Sequence, residues 1–300
     1  MASRRDDLIG GAYAVVASVA FGGVTVMGRR LAAGGLDVTS ILAIRFGLAS
    51  VILFAVLVVT RQPSRPPRAE WLKLVGLGVF GYGVEAAFFF SALRLGTATS
   101  VTLLFFTYPV FVAAGSALLG RGMPGWLVGG SLAAALAGTA TVVLSGGGID
   151  ITAIGIVLAL ASAITFSAYF LGAEATLRET PSLTGAAWVA GSASTGLAVT
   201  ALLTGNAELP ANAADTLTLI AMGAATAVAF VALFGALRRL GAVRSSVVMA
   251  TEPVAAAALA IGFLGEPLRG LMIVGGVLIV AGAIGASVAR GVPAGEPPVP

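Results

Sequence analysis

Long apolar runs dominate this chain, each separated from the next by a short gap of polar, glycine or proline residues. A helix that crosses the hydrocarbon core of a bilayer needs about 20 mainly apolar residues. Ten runs reach that length: 8–27, 38–60, 70–92, 97–119, 125–145, 152–173, 184–204, 214–236, 242–264 and 268–290. Turn formers mark the gaps, as in Ala33-Gly34-Gly35, Gly122-Met123-Pro124-Gly125 and Gly146-Gly147-Gly148. With connections this short, successive helices are expected to be antiparallel neighbours. The end of the chain, 293–300, is polar and rich in proline and is expected to be a disordered tail.

Two of the runs are interrupted in the same way. In the ninth, the stretch from Met249 carries Glu252-Pro253 near its start, and the fourth carries Tyr108-Pro109. These prolines lie 144 residues apart. The same shift places Gly11, Ala17, Ser18 and Gly28 on Gly155, Ala161, Ser162 and Gly172, Ala92-Leu93-Arg94 on Ala236-Leu237-Arg238, and Ala137-Gly138 on Ala281-Gly282. One shift that serves both ends of the chain predicts two five-helix repeats, 1–145 and 146–292. An odd number of crossings inverts the second repeat relative to the first. The expected fold is therefore an all-α integral membrane protein, ten transmembrane helices in two inverted repeats around a central cavity.

Composition supports that class and removes others. The chain is 58% hydrophobic and only 10% charged, with a mean hydropathy of +1.02, far from the soluble globular range. It has no cysteine and no histidine, so disulfides, thiolate chemistry, Ser-His catalysis and His/Cys metal centres are all excluded. The sole lysine, Lys73, stands near the start of the third run, which excludes a Schiff base deep in a late helix. No aspartate lies mid-run, which excludes an intramembrane aspartyl protease. No enzymatic activity, cofactor or metal is implied. The net charge of +4 does not point to nucleic acid, because the basic residues sit in the gaps. Twelve of the 17 Arg and Lys residues lie at the two termini and in the even-numbered gaps, against four in the odd-numbered gaps. This bias puts both termini in the cytoplasm.

Small residues predict the packing. Lipid offers no hydrophobic drive between helices, so close approach through small side chains matters. Gly10, Ala14, Ser18 and Gly22 form such a seam on the first run, and Gly155, Ala159, Ala163 and Ser167 on the sixth. Gly125 and Gly129 in the fifth fit the pattern, and are assigned to internal packing ahead of a dimer contact; the protein is expected to be a monomer or a weak homodimer. The fifth and tenth runs, uncharged between their ends, are expected at the periphery.

Arg45, Glu85 and Glu252 are the main ionisable residues within runs. A charge at the bilayer centre costs roughly 2.5–3.5 kcal/mol on insertion scales, so each should face protein or water. They predict either a polar cavity for a charged or zwitterionic solute or a structural ion pair, such as Arg45 with Glu85. Glu252 could instead reach water at the cytoplasmic end. Tyr82, Tyr108 and Trp188 join the cavity candidates because a buried OH or NH needs a partner. Tyr82, Glu85 and Phe89 share a helix face by their spacing, and Phe166 belongs to the aromatic set of the sixth run. Pro109 and Pro253 each remove a backbone hydrogen bond and are expected to bend their helices at the repeat interface, as gate or hinge elements with Glu252. Charge bias sets Glu252 near the cytoplasmic face, as a gate more than a substrate anchor, and leaves Glu85 as the anchor.

Taken in order along the chain, these residues resemble the drug/metabolite transporter superfamily, specifically its ten-helix EamA-type members. The likeness rests on Gly11 and Ala17-Ser18, Arg45-Phe46 and Ala92-Leu93 in the first half. In the second it rests on Gly155 with Leu158–Ala163, Ala236-Leu237, Glu252-Pro253-Val254, and Leu264-Gly265-Glu266 with Gly275-Gly276-Leu278. The first half departs from the family at Gly120-Arg121-Gly122, where a Gly-Glu pair is usual. The resemblance implies export of small metabolites, often amino acids; within the family the chain is most similar to the YddG-type amino acid exporters.

The expectation is thus an inner-membrane secondary transporter that exports amino acids or similar small metabolites by alternating access. A carboxylate in a low-dielectric cavity makes Glu85 a candidate for proton coupling, with uncoupled facilitation equally open. The rivals are efflux of hydrophobic cations and, in another class, a non-transporting membrane scaffold or receptor.

Overall fold

A computed structural model of the chain describes residues 4–144, 150–177, 180–264 and 270–289. Gly146–Gly148, Gly265-Glu266 and the expected tail lie outside them. The unbroken crossings are α1 (Arg4–Ala33), α2 (Val38–Val59), α3 (Arg68–Leu93), α5 (Trp126–Leu144), α6 (Ala153–Thr176), α7 (Ser182–Leu203) and α10 (Gly270–Val288). Two crossings are made in pieces. α4 consists of α4a (Ala98–Phe105) and α4b (Tyr108–Ser116). A helical trace over Ala213–Met249 is divided at Gly241, whose φ of 76° and ψ of 173° are not helical. It supplies α8 (213–240) and α9a (242–249); α9b (Glu252–Leu264) completes the ninth crossing. Among the described residues the structure is all helical, with one isolated bridge between Gly96 and Ile151.

α1 is longer than its apolar core of 8–27. Arg29, Arg30 and Leu31 are good helix formers, and the helix continues until Gly34-Gly35 ends it. Gly35 takes a φ of +95°, and the amide of Leu36 reaches back to the carbonyl of Leu31 at 3.3 Å, which satisfies an otherwise orphan acceptor.

The packing obeys the 144-residue repeat. α1 lies along α8 while its counterpart α6 lies along α3, and α9 packs on α1 as α4 packs on α6. α2 pairs with α7 and α5 with α10. Exchanging the halves therefore returns the same set of neighbours, as a two-fold axis between inverted repeats requires. The α5–α10 crossing shows the relation at atomic scale. A Cβ on Gly138 would stand 2.5 Å from the carbonyl oxygen of Gly275, and one on Gly282, the repeat equivalent of Gly138, 2.6 Å from that of Ser131, the equivalent of Gly275. α5 and α10 pack chiefly on each other at the edge.

The small-residue seams of α1 and α6 are packing surfaces as expected. Ala14, Ser18, Ala159 and Ala163 are fully buried, and a Cβ on Gly22 would strike the amide of Ala256 at 2.8 Å. Gly125 and Gly129 behave otherwise: a Cβ at either meets nothing within 4 Å. Their assignment to internal packing is corrected, because no neighbouring helix comes within reach of either glycine.

Candidate functional site

The centre of the fold is built at the two helix breaks, which match residue for residue. α4a ends at Phe106-Thr107 and α9a at Ala250-Thr251. Thr107 Oγ1 donates to the Leu104 carbonyl at 2.6 Å, and Thr251 Oγ1 to the Val248 carbonyl at 2.8 Å. Each threonine carbonyl then accepts the first amide beyond the proline, Val110 at 2.9 Å and Val254 at 3.1 Å. Pro109 and Pro253 thus sit in the first turn of a restarted helix, where a missing N–H costs little. They begin half-helices; they do not bend continuous ones. This places Glu252 in the first turn of α9b at the mid-crossing break, not near a membrane face. A carboxylate there complements the positive end of the helix dipole.

α3 contributes through a different irregularity. Leu77–Tyr82 form a wide π-helical turn, and Gly78 and Gly81 let it press on α7 and α6. A Cβ on Gly81 would meet the Tyr169 ring at 2.8 Å. Such turns re-aim the residues that follow, here Tyr82 and Glu85.

Three charged side chains from three helices share one electrostatic neighbourhood. Glu85 and Glu252, together with Tyr82, set the electrostatic surroundings of Arg45. All three charged residues are half-buried. Ser162 on α6 donates to Glu85 Oε1 at 3.0 Å, and Thr25 on α1 donates to Glu252 Oε1 at 3.4 Å. Each carboxylate is therefore held by a hydroxyl on the first helix of the opposite repeat. Arg45 makes no ion pair with either. Its guanidinium lies 4.3 Å from the centroid of the Phe46 ring, and its buried Nε has no hydrogen-bond partner. The structural ion pair between Arg45 and Glu85 is not formed.

Aromatic rings separate this polar centre from the face that carries the N-terminus. Tyr82 packs on Tyr169 (centroids 4.9 Å apart), Phe46 (5.0 Å) and Phe230 (5.3 Å), which come from α6, α2 and α8. Tyr108 packs on Phe166 at 5.0 Å and on Phe170 at 5.5 Å. Its hydroxyl donates to the Ser246 carbonyl at 3.3 Å, which ties α4b to α9a. Tyr82, Tyr108, Tyr169, Phe46 and Phe230 are buried, and the hydroxyls of Tyr82 and Tyr169 have no partner in hydrogen-bond geometry. On the other side the packing loosens. α4b and α9a meet, but α4a and α9b share no substantial packing and lean on α6 and α1 instead. Phe89 joins Phe105 at 5.4 Å and Phe105 joins Phe166 at 5.2 Å, and all three rings are half-buried along the α4a side. The result is a cleft between α4a and α9b, with a charged trio at its base and an aromatic floor below.

Arg45, Glu85, Tyr82, Tyr108, Phe89, Phe166 and Glu252 are all brought to this centre. Trp188 is not. Its Nε1 donates to the Ser64 carbonyl at 2.8 Å in the α2–α3 connection, and it packs edge-on against Phe54 and Trp71. That connection lies at the face carrying the N-terminus, so the indole finds its partner at the surface. Ser162, Thr25, Tyr169 and Phe105 are site residues that the sequence pattern did not single out. Ser162 carried two signals, its place in the internal repeat and its place in the Leu158–Ala163 stretch of the family resemblance.

At the face carrying the N-terminus, the Arg244–Asp7 and Arg121–Glu174 ion pairs cross between the repeats. Arg244 of α9a donates to Asp7 of α1 at 2.8 Å and to the carbonyls of Ala286 and Ser287 at 2.8 and 2.5 Å. Arg121, just beyond α4b, pairs with Glu174 of α6.

Paired repeats, broken helices facing each other and a charged centre under a cleft define a multi-pass membrane transporter of the inverted-repeat type. A family profile described as "EamA-like transporter family" matches residues 8–144 and again 153–288, and the chain belongs to that family. A stretch of 94 residues is 37% identical to a protein of Archaeoglobus fulgidus described as "Uncharacterized transporter", covering 31% of this chain and 32% of that protein. The match therefore spans about a third of that relative's length. A solved structure described as "Crystal structure of protein" superposes with a TM-score of 0.77 over 95% of this chain and 97% of its own, at 22% identity. That likeness concerns the fold.

Proposed function

We propose that this transporter moves small zwitterionic metabolites, amino acids foremost, outward across the inner membrane by alternating access, with both termini cytoplasmic. The observation that carries the reading is the charge arrangement at the base of the cleft. Arg45 lacks an ion-pair partner and keeps an unpartnered Nε, while Glu85 and Glu252 approach from different repeats. A guanidinium suits a carboxylate and the two glutamates suit an ammonium group. The bias of basic residues toward the gaps on the N-terminal side supports the orientation. In this arrangement the cleft faces outward and the aromatic floor closes the cytoplasmic side. The two repeats are taken as residues 1–145 and 146–292, a division that the pairing of α1 with α8 and of α6 with α3 supports.

Counterflow in proteoliposomes with a panel of labelled amino acids tests the substrate class. Uptake of zwitterionic amino acids that is lost in Arg45→Ala is expected; no uptake of any amino acid would sink the reading. Two carboxylates against one arginine, among Phe89, Phe105 and Phe166, favour lipophilic cations as the second reading. Glu85-dependent efflux of a cationic dye, with no amino acid flux, would establish it. Proton coupling through Glu85 predicts flux that responds to an imposed pH gradient, and an indifferent flux excludes it.

A further inference from the structure

We propose that the Arg121–Glu174 ion pair is a latch that holds the face carrying the N-terminus closed, and that its opening admits substrate from that side. The proposal rests on the alternating-access part of the reading above, and not on the identity of the substrate.

Opening this face requires α4b to part from α9a and from the α8–α9 turn, because these elements meet there. One link crosses that seam, the Tyr108 hydroxyl on the Ser246 carbonyl, deep in the fold. At its edge stands Glu174 of α6, which ties the end of α4b to the second repeat and lies against the α8–α9 turn. Its carboxylate accepts from Arg121, at the end of the π-helical extension of α4b, and its Oε1 is 3.0 Å from where a Cβ on Gly241 would stand. Gly241 is the turn between α8 and α9a, and its φ of +76° lies where glycine is favoured. A side chain there would displace the carboxylate, so the close approach depends on the glycine.

The junction is not packed solid. A cavity of about 170 Å³ lies at it, walled by Ser116, Arg121, Val128, Glu174, Gly241 and Arg244. That is room for several waters at the face carrying the N-terminus. The Arg121 and Glu174 side chains are 30% and 21% exposed. Such a pair sits in a partly wet setting, where ion pairs are weak enough to break during a cycle. The neighbouring Arg244–Asp7 pair is the opposite case. It is 8% and 15% exposed and anchored to the end of α10 by two carbonyls, which makes it a fixed strut.

The chain has no cysteine, so single reporters can be placed without removing native thiols. Ser116→Cys reports on the closed seam and Thr25→Cys on the cleft, each in the full chain in proteoliposomes and read as the rate of reaction with an impermeant maleimide. Glu174→Gln and Arg121→Gln are expected to speed labelling at position 116 by about fivefold, the upper range for a partly exposed pair, and to slow labelling at position 25. The exchange R121E/E174R is expected to restore both rates. Unchanged labelling at 116, with Met123→Cys reacting normally as a control, overturns the proposal. Faster labelling at 116 without slowing at 25 means local loosening and overturns it too, as does an exchange variant that stays open. No substrate enters the measurement, so it stands whether or not amino acids prove to be carried.

Discussion

Ser162 and Glu85 join the two repeats at the centre of the protein: the serine hydroxyl of α6 donates to the carboxylate of α3 at 3.0 Å. Thr25 and Glu252 make the reciprocal link from α1 to α9b at 3.4 Å. A carboxylate that changes partner between conformations would have to leave a hydroxyl of the other repeat. The charged centre and the interface between the repeats are therefore the same place.

Removing the Ser162 hydroxyl should weaken transport through Glu85. A hydrogen bond to a charged group contributes about 1.5–3 kcal/mol, so Ser162→Ala is expected to lower transport kcat/KM by about tenfold or more. Added to Glu85→Gln, it should change little further. Counterflow rates for the two single variants and the double variant check this, and full additivity would show that the contact is not functional.

Arg61 ends α2 with a φ of +52°, while Gly205, 144 residues later, ends α7 with a φ of +72°. The repeat places both at one structural position, but only one is occupied by the residue that suits it. Left-handed backbone costs a non-glycine residue about 1–2 kcal/mol. Arg61→Gly should stabilise the protein by about 1 kcal/mol, and Gly205→Ala should destabilise it by a similar amount. Unfolding midpoints in detergent measure both.

At the α5–α10 crossing, Gly138→Val would drive side-chain atoms into the Gly275 carbonyl, 2.5 Å from the new Cβ. Overpacking of this kind costs about 1–3 kcal/mol or more. Gly129→Val, about two and a half turns earlier on a side that meets nothing within 4 Å, is expected to leave folding intact. Thermal stability of the purified variants tests the contrast, and equal loss in both would refute it.

Arg244→Ala leaves the Asp7 carboxylate and two α10 carbonyls without their donor. Breaking a buried pair in this way costs about 3–5 kcal/mol. The variant should lose more stability than Arg121→Ala, whose partner can turn to water. Comparing their melting temperatures decides it.

The sequence by itself determined the number and course of the crossings, because hydropathy is a local property and a bilayer requires each crossing helix to satisfy its own backbone. It also revealed the repeat, and it picked out Arg45, Glu85 and Glu252, because a charge in an apolar helix is conspicuous wherever the helix goes. Rotation about each helix axis was not legible, and rotation sorts aromatic residues into site, core and surface. Trp188 therefore looked like a cavity residue until the Ser64 carbonyl was found to hold it at a face. Ser162, Thr25 and Tyr169 are ordinary in sequence and gain meaning only through the partner that packing brings within reach. Pro109 and Pro253 marked the right places, but only the tertiary structure showed breaks of two residues that restart the helix. Glu252 thereby moved from the membrane face to the centre. Which glycines press on a neighbour, Gly138 against Gly275 but not Gly129, depends on which side of a helix another helix covers.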